Sequence, residues 1–349
     1  MDIILSFVVI LIILMLIVFA CVLFTNAVEH LGETLNLNEG AVGSVLAAVG
    51  TALPETIVPL VAIVGAYITG SSIEKGNEIG VGAIIGAPFL LGTLAFFVTG
   101  LAVYFFSFKG RRSLDMPVNT EIMFRDLKYF AFAYFIAVTS SFIPNLFFKH
   151  FIAILLLAIY GVYVFKTIKT ASKIPDGGHE ELDALYFTKY IEFKGLLHFP
   201  AIILQLLVSL LGIIFLAHFF VEELKFISVA LNINPFILSL LITPIATELP
   251  EKFNSVIWIR AKKDTLAMGN ITGAMVFQSC IPTAVGVALT PWVLTFDAFV
   301  NISMVYISVL IVYLNIVHNK GILKPSSLIS GGLFYLFYLL YIIFKIKPW

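Results

Sequence analysis

Charge is scarce in this sequence. Of its 349 residues only 12% are charged, and 21 basic residues balance 21 acidic residues. Soluble domains carry about 25% charged residues, so an ordinary soluble fold is excluded. The basic residues are dispersed among apolar runs, and no nucleic-acid partner is indicated.

Cysteine is scarce as well. The two cysteines, Cys21 and Cys280, lie inside apolar segments, which is typical of small core side chains and argues against a disulfide framework. The sequence has no cluster of thiols or imidazoles, no His-Glu-x-x-His pattern and no nucleophile paired with a base. We therefore predict that the protein is not an enzyme and has no resident cofactor.

Hydrophobic residues make up 60% of the chain. They occur in continuous runs of about 20 residues, the length that crosses about 30 Å of hydrocarbon as a helix. Continuous runs favour helices over a β-barrel, whose strands alternate in polarity. The sequence predicts an all-α, multi-pass protein of the cell membrane, in contact with the lipid bilayer. Its ten predicted spans are 3–25, 41–69, 79–107, 127–146, 149–168, 199–221, 233–259, 265–290, 294–317 and 323–346.

Lysine and arginine indicate how these spans are oriented. Most loop Lys and Arg residues lie between spans three and four, five and six, seven and eight, and nine and ten. In a ten-span topology these four loops share one side of the membrane. The positive-inside rule predicts that this side is cytoplasmic, so both termini are expected to be extracytoplasmic.

A Thr-x-Leu-Pro-Glu motif occurs at 51–55 and again at 247–251, and a glycine-rich segment follows each copy, at 82–87 and at 269–274. The recurrence predicts two halves of five spans each. Because five is an odd number, the second half enters the membrane from the opposite side. Such inverted repeats are typical of secondary transporters, whose substrate site lies near the midplane.

The predicted halves are residues 1–169 and 198–349. Residues 170–197 connect them. Leu182, Leu185, Tyr186, Tyr190 and Phe193 recur there at helical spacing, so the connection is either a mixed-charge linker or a short helix lying on the cytoplasmic face.

The motifs supply oxygen atoms. Pro54 and Pro250 lack an N–H, so each releases the carbonyl four residues earlier in its helix. Within each motif the Thr and the Glu are four residues apart and share a helical face. Two such groups could together provide the six to eight oxygens that Ca²⁺ takes. The side chains concerned are Thr51, Glu55, Thr247 and Glu251.

The partner spans differ in their polar content. Span eight carries Asn270 and Gln278, with Thr272 between them as a further oxygen source, and Pro282 is expected to free the Gln278 carbonyl. Span three is apolar at the matching places. We therefore expect span eight, and not span three, to donate ligands.

The doubled motif, the glycine-rich partner spans and the five-plus-five plan resemble the cation/calcium exchanger superfamily, whose best-studied members are sodium/calcium exchangers. The resemblance implies a secondary active antiporter that exchanges Ca²⁺ for Na⁺ by alternating access, with the first and sixth spans sliding as a gate. It implies cation-ligand roles for Thr51, Glu55, Thr247 and Glu251, together with backbone oxygens near Ala48.

The sequence departs from the family pattern at several ligand positions. Between the motif Thr and Leu, where the family has a small hydroxyl, stand Ala52 and Glu248. Polar family positions in the partner spans are filled here by Ala87, Leu91, Ala274 and Gln278. The first half is therefore expected to be poor in oxygen donors.

Glu248 is also a candidate cation ligand, and Glu248 and Lys252 together form a second unusual feature. They are four residues apart with Glu first, the favourable order for an ion pair within a helix, and pairing makes both charges cheaper in the membrane. Glu55 and Glu251 then remain to bind the transported cation, and Na⁺ or protons would replace Ca²⁺ there. In another interpretation Lys252 occupies the cation site itself.

Three alternatives stay open at this point. An exchanger could use H⁺ in place of Na⁺. A channel would require rings of ligands from several subunits or a filter loop, which the sequence does not indicate. A membrane protein that does not transport is compatible with the altered ligands.

Overall fold

The computed structural model describes residues 3–34, 53–70, 72–171, 184–188 and 198–346. This part of the chain is helical almost throughout, with eleven α-helices. They are α1 (Ile3–Thr34), α2 (Leu53–Thr69), α3 (Ile73–Leu90), α4 (Phe96–Phe108), α5 (Thr120–Thr139), α6 (Leu146–Ala171), α7 (His198–Leu231), α8 (Pro235–Arg260), α9 (Asp264–Leu289), α10 (Phe296–His318) and α11 (Pro325–Ile346).

Short elements complete the structure. A π-helical segment, Leu91–Ala95, joins α3 to α4, so the two form one rod, Ile73–Phe108. Two 3-10 turns occupy Ser140–Phe142 and Tyr186–Thr188. Two-residue strands β1 (Met116–Pro117) and β2 (Ile322–Leu323) pair antiparallel.

These helices follow the ten predicted spans in order, which confirms the all-α membrane fold. Within the described residues, seven helical segments are long and apolar enough to cross a membrane. The helices outside that set are α2, α5 and α8. Charged residues interrupt the apolar stretch of α5 and α8, and α2 is described only from Leu53.

Some predicted boundaries are wrong because helices begin and end at capping residues, not at the membrane surface. The fourth span was expected to begin at residue 127, but the Asn119 side chain accepts from the Ile122 N–H at 3.1 Å and starts α5 seven residues earlier. The sixth span was expected to end at residue 221. Instead α7 continues to Leu231, where Asn232 has a positive φ of 53°.

Helix α3 lies between the two motif-bearing helices and approaches both closely. A Cβ at Gly86 would lie 2.2 Å from the Leu240 carbonyl oxygen, and one at Gly82 would lie 2.4 Å from another α8 carbonyl oxygen. On the α2 side, a Cβ at Gly76 would lie 2.6 Å from the Ala62 carbonyl oxygen. Only glycine permits such contacts, which allow the van der Waals packing that holds helices together in lipid.

The glycines of α9 lie near the first half of the chain. Among the described residues, the atoms nearest to a Cβ at Gly269 and Gly273 belong to Ile122 of α5 and Tyr163 of α6, at 4.0 and 3.4 Å. The glycine-rich face of α9 therefore meets the last two helices of the first half.

The packing shows the symmetry of the two halves. Helix α9 packs against α5 and α6 of the first half, and the rod of α3 and α4 packs against α10 and α11 of the second half. In the most apolar stretch of the rod 83% of the residues are buried, and in that of α9 72% are buried. In α6 the corresponding share is 17%. The exposed apolar side chains of α6 face outward, where a membrane protein meets lipid.

Buried apolar side chains form two clusters. The smaller is made mainly by α1, α2 and α7, and the larger by α3 through α6 with α8 through α11. Helix α1 packs along α7. Cys21 and Cys280 are free thiols, one in each cluster, as expected for small core side chains.

Three of the basic loops meet at one end of the molecule. Arg112, after α4, forms a bidentate ion pair with Asp264 at the start of α9, with N···O distances of 2.6 and 2.9 Å. Strand β1 from the same loop pairs with β2 between α10 and α11. These contacts support the prediction that the loops lie on one side of the membrane.

The connection between the halves is described only at 184–188. Its backbone N–H groups at Tyr186 and Phe187 donate to Asn26 of α1 and Gln205 of α7, at 3.2 and 2.9 Å. The rest of the proposed surface helix lies outside the described residues.

Replacing Gly86 by Ala is expected to destabilise the protein by about 1–3 kcal/mol, because the new methyl group overpacks the contact between α3 and α8. The thermal unfolding midpoint of the purified protein in detergent measures this effect.

Gly161→Ala on α6 is the matched control, because a Cβ there would lie within 4 Å of no described atom beyond the adjoining backbone of its own helix. Alanine is also the better helix former, so this variant is expected to be neutral or stabilising. Equal midpoints for the two variants would contradict the close approach of α3 to α8.

Candidate cation-binding site

Four of the described candidate side chains on α2, α8 and α9 are deeply buried, and Asn270 is half-buried. Glu55 is 4% exposed, Thr247 5%, Glu248 1% and Gln278 1%. A carboxylate inside a membrane costs about 2.5–3.5 kcal/mol even on the lenient insertion scale, so buried acids mark functional positions by default.

Other predicted ligands fall on parts of the chain that the structure leaves undescribed. Ala48 and Thr51 lie outside the described residues. Glu251 and Lys252 lie within α8, but their side chains are outside the described set. Their ligand and ion-pair roles remain predictions.

Helix α8 presents its polar residues along one face. The Thr247 hydroxyl donates to the Thr243 carbonyl at 3.2 Å, and the Thr243 hydroxyl lies 3.0 Å from that of Ser239. The Ser239 hydroxyl donates to the Ile79 carbonyl of α3 at 2.7 Å. A row of hydroxyls, spaced four residues apart, therefore leads along α8 to the motif.

A third proline, Pro244, acts where α8 meets α3. It lies inside the continuous helix and releases the Leu240 carbonyl, the same oxygen that Gly86 of α3 approaches. The helix also continues through Pro250, as predicted. For the first motif, the described helix begins at Leu53, so the carbonyl expected to be freed by Pro54 is not among the described atoms.

Gln278 connects α9 to the motif on α8. Its amide nitrogen Nε2 donates to Glu248 Oε1 at 2.7 Å. The Gln278 backbone carbonyl, which Pro282 frees, accepts from the Thr283 hydroxyl at 2.7 Å. We predicted this carbonyl as an oxygen donor for the site. The neighbouring hydroxyl uses one of its two lone pairs, and the role of the carbonyl toward a cation stays a prediction.

The remaining polar residues of α9 point to other partners. Asn270 Nδ2 donates to Ser255 Oγ on α8 at 3.3 Å, one helical turn beyond Glu251. The Thr272 hydroxyl donates to Asp126 Oδ2 on α5 at 2.9 Å. Thr272, expected as an additional oxygen source, thus binds a carboxylate of the first half.

Asp126 is a buried acid that the sequence reasoning missed. It is 1% exposed and accepts from the Tyr163 hydroxyl of α6 at 3.1 Å and from Arg125 Nη2 at 3.0 Å. In the sequence, Asp126 stands in a basic loop, one residue before the predicted start of the fourth span. It was therefore expected to lie outside the membrane, and nothing marked it as a buried acid.

Span three provides few oxygens, as predicted. Ala87 and Leu91 are buried and apolar. Gly92 lies in the π-helical segment, and the Ser308 hydroxyl of α10 donates to its carbonyl at 2.5 Å. The donors that the described residues leave for a cation therefore lie mainly on α2, α8 and α9.

Within the described residues, no group of three or more His, Cys, Asp or Glu side chains could hold a metal ion. A cation held by the described side chains would have to combine carboxylates with neutral oxygens. That combination suits hard ions such as Ca²⁺.

Comparison with known proteins identifies the family. The model of the family described as sodium/calcium exchanger protein matches residues 5–169 and again residues 201–347. The chain belongs to this family. The two matches correspond to the two helical halves, so the internal repeat of the exchanger family is present along nearly the whole chain.

Two curated relatives are membrane proteins. One is the uncharacterized membrane protein MJ0091 of Methanocaldococcus jannaschii, 22% identical over 75% of each chain. The other is the inner membrane protein YrbG of Escherichia coli, 23% identical over 80% of this chain and 78% of the relative.

Solved exchangers share the fold. A structure of the H⁺/Ca²⁺ exchanger CAX matches with a TM-score of 0.71 at 16% identity, over 98% of this chain and 86% of the other. A structure of the sodium-calcium exchanger NCX_Mj matches with a TM-score of 0.56 at 20% identity, over 97% and 99%. The protein is thus a multi-pass membrane protein of an exchanger family, with the inverted-repeat architecture of cation transporters.

Thr272→Val is expected to destabilise the exchanger by about 1–3 kcal/mol, because it removes a hydrogen bond to the buried Asp126 carboxylate. Thr99→Val is the matched control. Thr99 is 1% exposed, but its one hydroxyl partner among the described residues is the Ala95 carbonyl of its own helix, at 2.8 Å. Thermal unfolding should show the larger loss for Thr272→Val, and equal losses would contradict a role for the contact between helices.

Proposed function

We propose that this protein is a secondary active antiporter that exchanges Ca²⁺ for Na⁺ across the cell membrane by alternating access. The observation that carries the proposal is the burial of acidic motif residues on two helices, α2 and α8, that flank the same glycine-lined helix α3. Family membership and the intact Thr-x-Leu-Pro-Glu motif in both halves support Na⁺ as the counter-ion.

The proposed site draws one carboxylate from each half. Glu55 and Glu251 are the charged ligands, and Thr51 and Thr247 add hydroxyl oxygens. Backbone oxygens near Ala48 and the polar side chains of α9, Gln278 and Asn270, complete the donor set. The mixture of charged and neutral oxygens fits the coordination that Ca²⁺ prefers.

Coupling follows from mutual exclusion. Two carboxylates facing each other without a cation repel, so the site favours an occupied state. Ca²⁺ or its counter-ions can satisfy the charges, but not both at once. Each crossing of the site therefore carries one kind of ion, and a gradient of one drives the other.

The division of the apolar core supports a moving gate. Helices α1 and α7 pack along each other and, with α2, form a cluster distinct from the main helix body. Sliding of this pair over α3 and α8 would expose the site alternately to the two sides, since rearrangement of one bundle against another underlies alternating access.

A proton is the second candidate counter-ion. Positions that carry oxygen ligands in the family are filled here by Ala52, Ala87 and Leu91, which leaves fewer neutral donors for Na⁺. A proton requires only a carboxylate. Shortage of neutral donors therefore supports H⁺ exchange.

Uptake of radioactive Ca²⁺ into proteoliposomes tests the proposal. An outward Na⁺ gradient should drive uptake, whereas uptake driven only by a proton gradient would favour the second candidate. Glu55→Gln should lower uptake at least about tenfold, equivalent to ~1.4 kcal/mol, because it removes a charge from the site.

Glu222→Gln is the control for that variant. Glu222 forms an exposed ion pair with Lys225 on α7, at 2.7 Å, and exposed pairs contribute little, so transport should persist. Ca²⁺ uptake that depends on neither the Na⁺ gradient nor the proton gradient would contradict the proposed exchange. So would Ca²⁺ uptake that Glu251→Gln leaves unchanged.

We also propose that both termini are extracytoplasmic, as the basic loops indicate. Cysteine introduced at Ser113, in the loop after α4, should resist a membrane-impermeant maleimide in intact cells. Cysteine at Glu74, at the opposite end of the rod, should react. The reverse labelling pattern would show that both termini are cytoplasmic and would contradict this proposal.

A further inference from the structure

We propose that Glu248 is a positioning residue that orients the Gln278 amide, so that its oxygen Oε1 faces the transported cation as a neutral ligand. The inference rests on the proposed exchange function. It assigns a role to the acidic residue that stands in the motif where the family has a small hydroxyl.

The contact between the two side chains determines which end of the amide faces which way. Gln278 Nε2 lies 2.7 Å from Glu248 Oε1, and both residues are 1% exposed. An ionised carboxylate accepts hydrogen bonds but donates none, whereas an amide has one donating and one accepting end. The opposite orientation would bring two oxygens together, so the carboxylate selects the orientation with nitrogen toward α8.

The same orientation leaves the amide oxygen for another partner. Gln278 Oε1 is buried and has no hydrogen-bond partner among the described residues. A buried polar atom without a partner is costly, and such atoms in native structures call for an explanation such as an ion or a water. The backbone carbonyl of Gln278 accepts a hydrogen bond from Thr283, so the side-chain oxygen is the acceptor of this residue that has no partner among the described residues.

Glutamine needs this support more than aspartate or asparagine would. Its amide lies at the end of a longer, more flexible side chain, and either end of the amide could face the site. A cation is repelled by the N–H₂ end and attracted by the oxygen. Glu248 removes the wrong orientation, and a cation at Oε1 in turn polarises the amide and strengthens the N–H···O⁻ bond.

The arrangement places the negative charge of Glu248 beside a cation ligand, the Gln278 amide, and not beside the cation itself. Glu248 can act on the ion through the amide, as outer-shell carboxylates do at metal sites, where their loss costs about 10–100-fold in affinity. The residue then contributes to cation binding without being a ligand. This role differs from pairing with Lys252, although the two are compatible.

A double-mutant cycle of Glu248→Gln and Gln278→Leu tests the proposal. Ca²⁺ affinity is measured by calorimetry on the purified protein and as the Ca²⁺ concentration for half-maximal uptake. Glu248→Gln should weaken Ca²⁺ binding about 10–100-fold, with the larger change in half-maximal concentration than in maximal rate. Gln278→Leu should weaken binding comparably.

The Ca²⁺ affinity of the double variant decides between the two outcomes. If Glu248 acts through Gln278, then Glu248→Gln costs nothing further once Gln278 is Leu, so the two losses do not add. Additive losses would show that Glu248 contacts the cation directly or acts elsewhere, and would overturn the inference.

An exchange of the two side chains provides a second test that retains the hydrogen bond. Glu248→Gln combined with Gln278→Glu keeps the net charge and directs a carboxylate oxygen toward the cation. It should bind Ca²⁺ at least as tightly as the unmodified protein. Affinity as low as that of Glu248→Gln alone would contradict the positioning role.

The two proposals fail in different ways. Normal Ca²⁺ exchange in the unmodified protein with additive losses in the cycle overturns only the role of Glu248. Absence of any gradient-driven Ca²⁺ flux or Ca²⁺ binding in the unmodified protein overturns the exchange function, and the positioning role with it.

Discussion

A polar group cannot be left unpaired in hydrocarbon, and the centre of this molecule is arranged around that constraint. Prolines release backbone carbonyls, and acids replace apolar residues, within helices that lipid surrounds. Several of these groups meet a specific neighbour, whereas the Gln278 side-chain oxygen has no hydrogen-bond partner among the described residues. Gly86 lets α3 approach the Leu240 carbonyl, Thr283 binds the Gln278 carbonyl, and the Gln278 amide binds Glu248.

The two halves are symmetric in scaffold and unequal in chemistry. The central elements, the α3–α4 rod and α9, each pack against the last two helices of the other half. Yet α9 carries polar side chains that bind α8 and α5, while the matching positions of the rod are apolar or have their carbonyls bound by other side chains. An exchanger built this way can keep the family's moving parts and still differ in which ions it accepts.

Much of the architecture was predictable because it depends on local periodicity. Runs of apolar residues determine helices in a membrane, and the repeated Thr-x-Leu-Pro-Glu motif revealed the duplicated plan that the family match supports. Boundaries were less predictable. The capping contact of Asn119 and the left-handed Asn232 decide where α5 starts and α7 ends, and hydropathy does not register either of them.

The candidate site, like the fold, was predictable only in part. The sequence by itself determined which residues bear oxygen, since composition singles out the few acids inside apolar helices. Only the tertiary structure decided their partners. The Thr272 hydroxyl donates to Asp126, and the Thr283 hydroxyl donates to the Gln278 carbonyl. The Gln278 amide donates to Glu248. The physical reason is that these contacts join residues on different helices or use a carbonyl that a proline frees. Hydrogen bonds require positions within a few tenths of an ångström, which spacing along a chain does not specify.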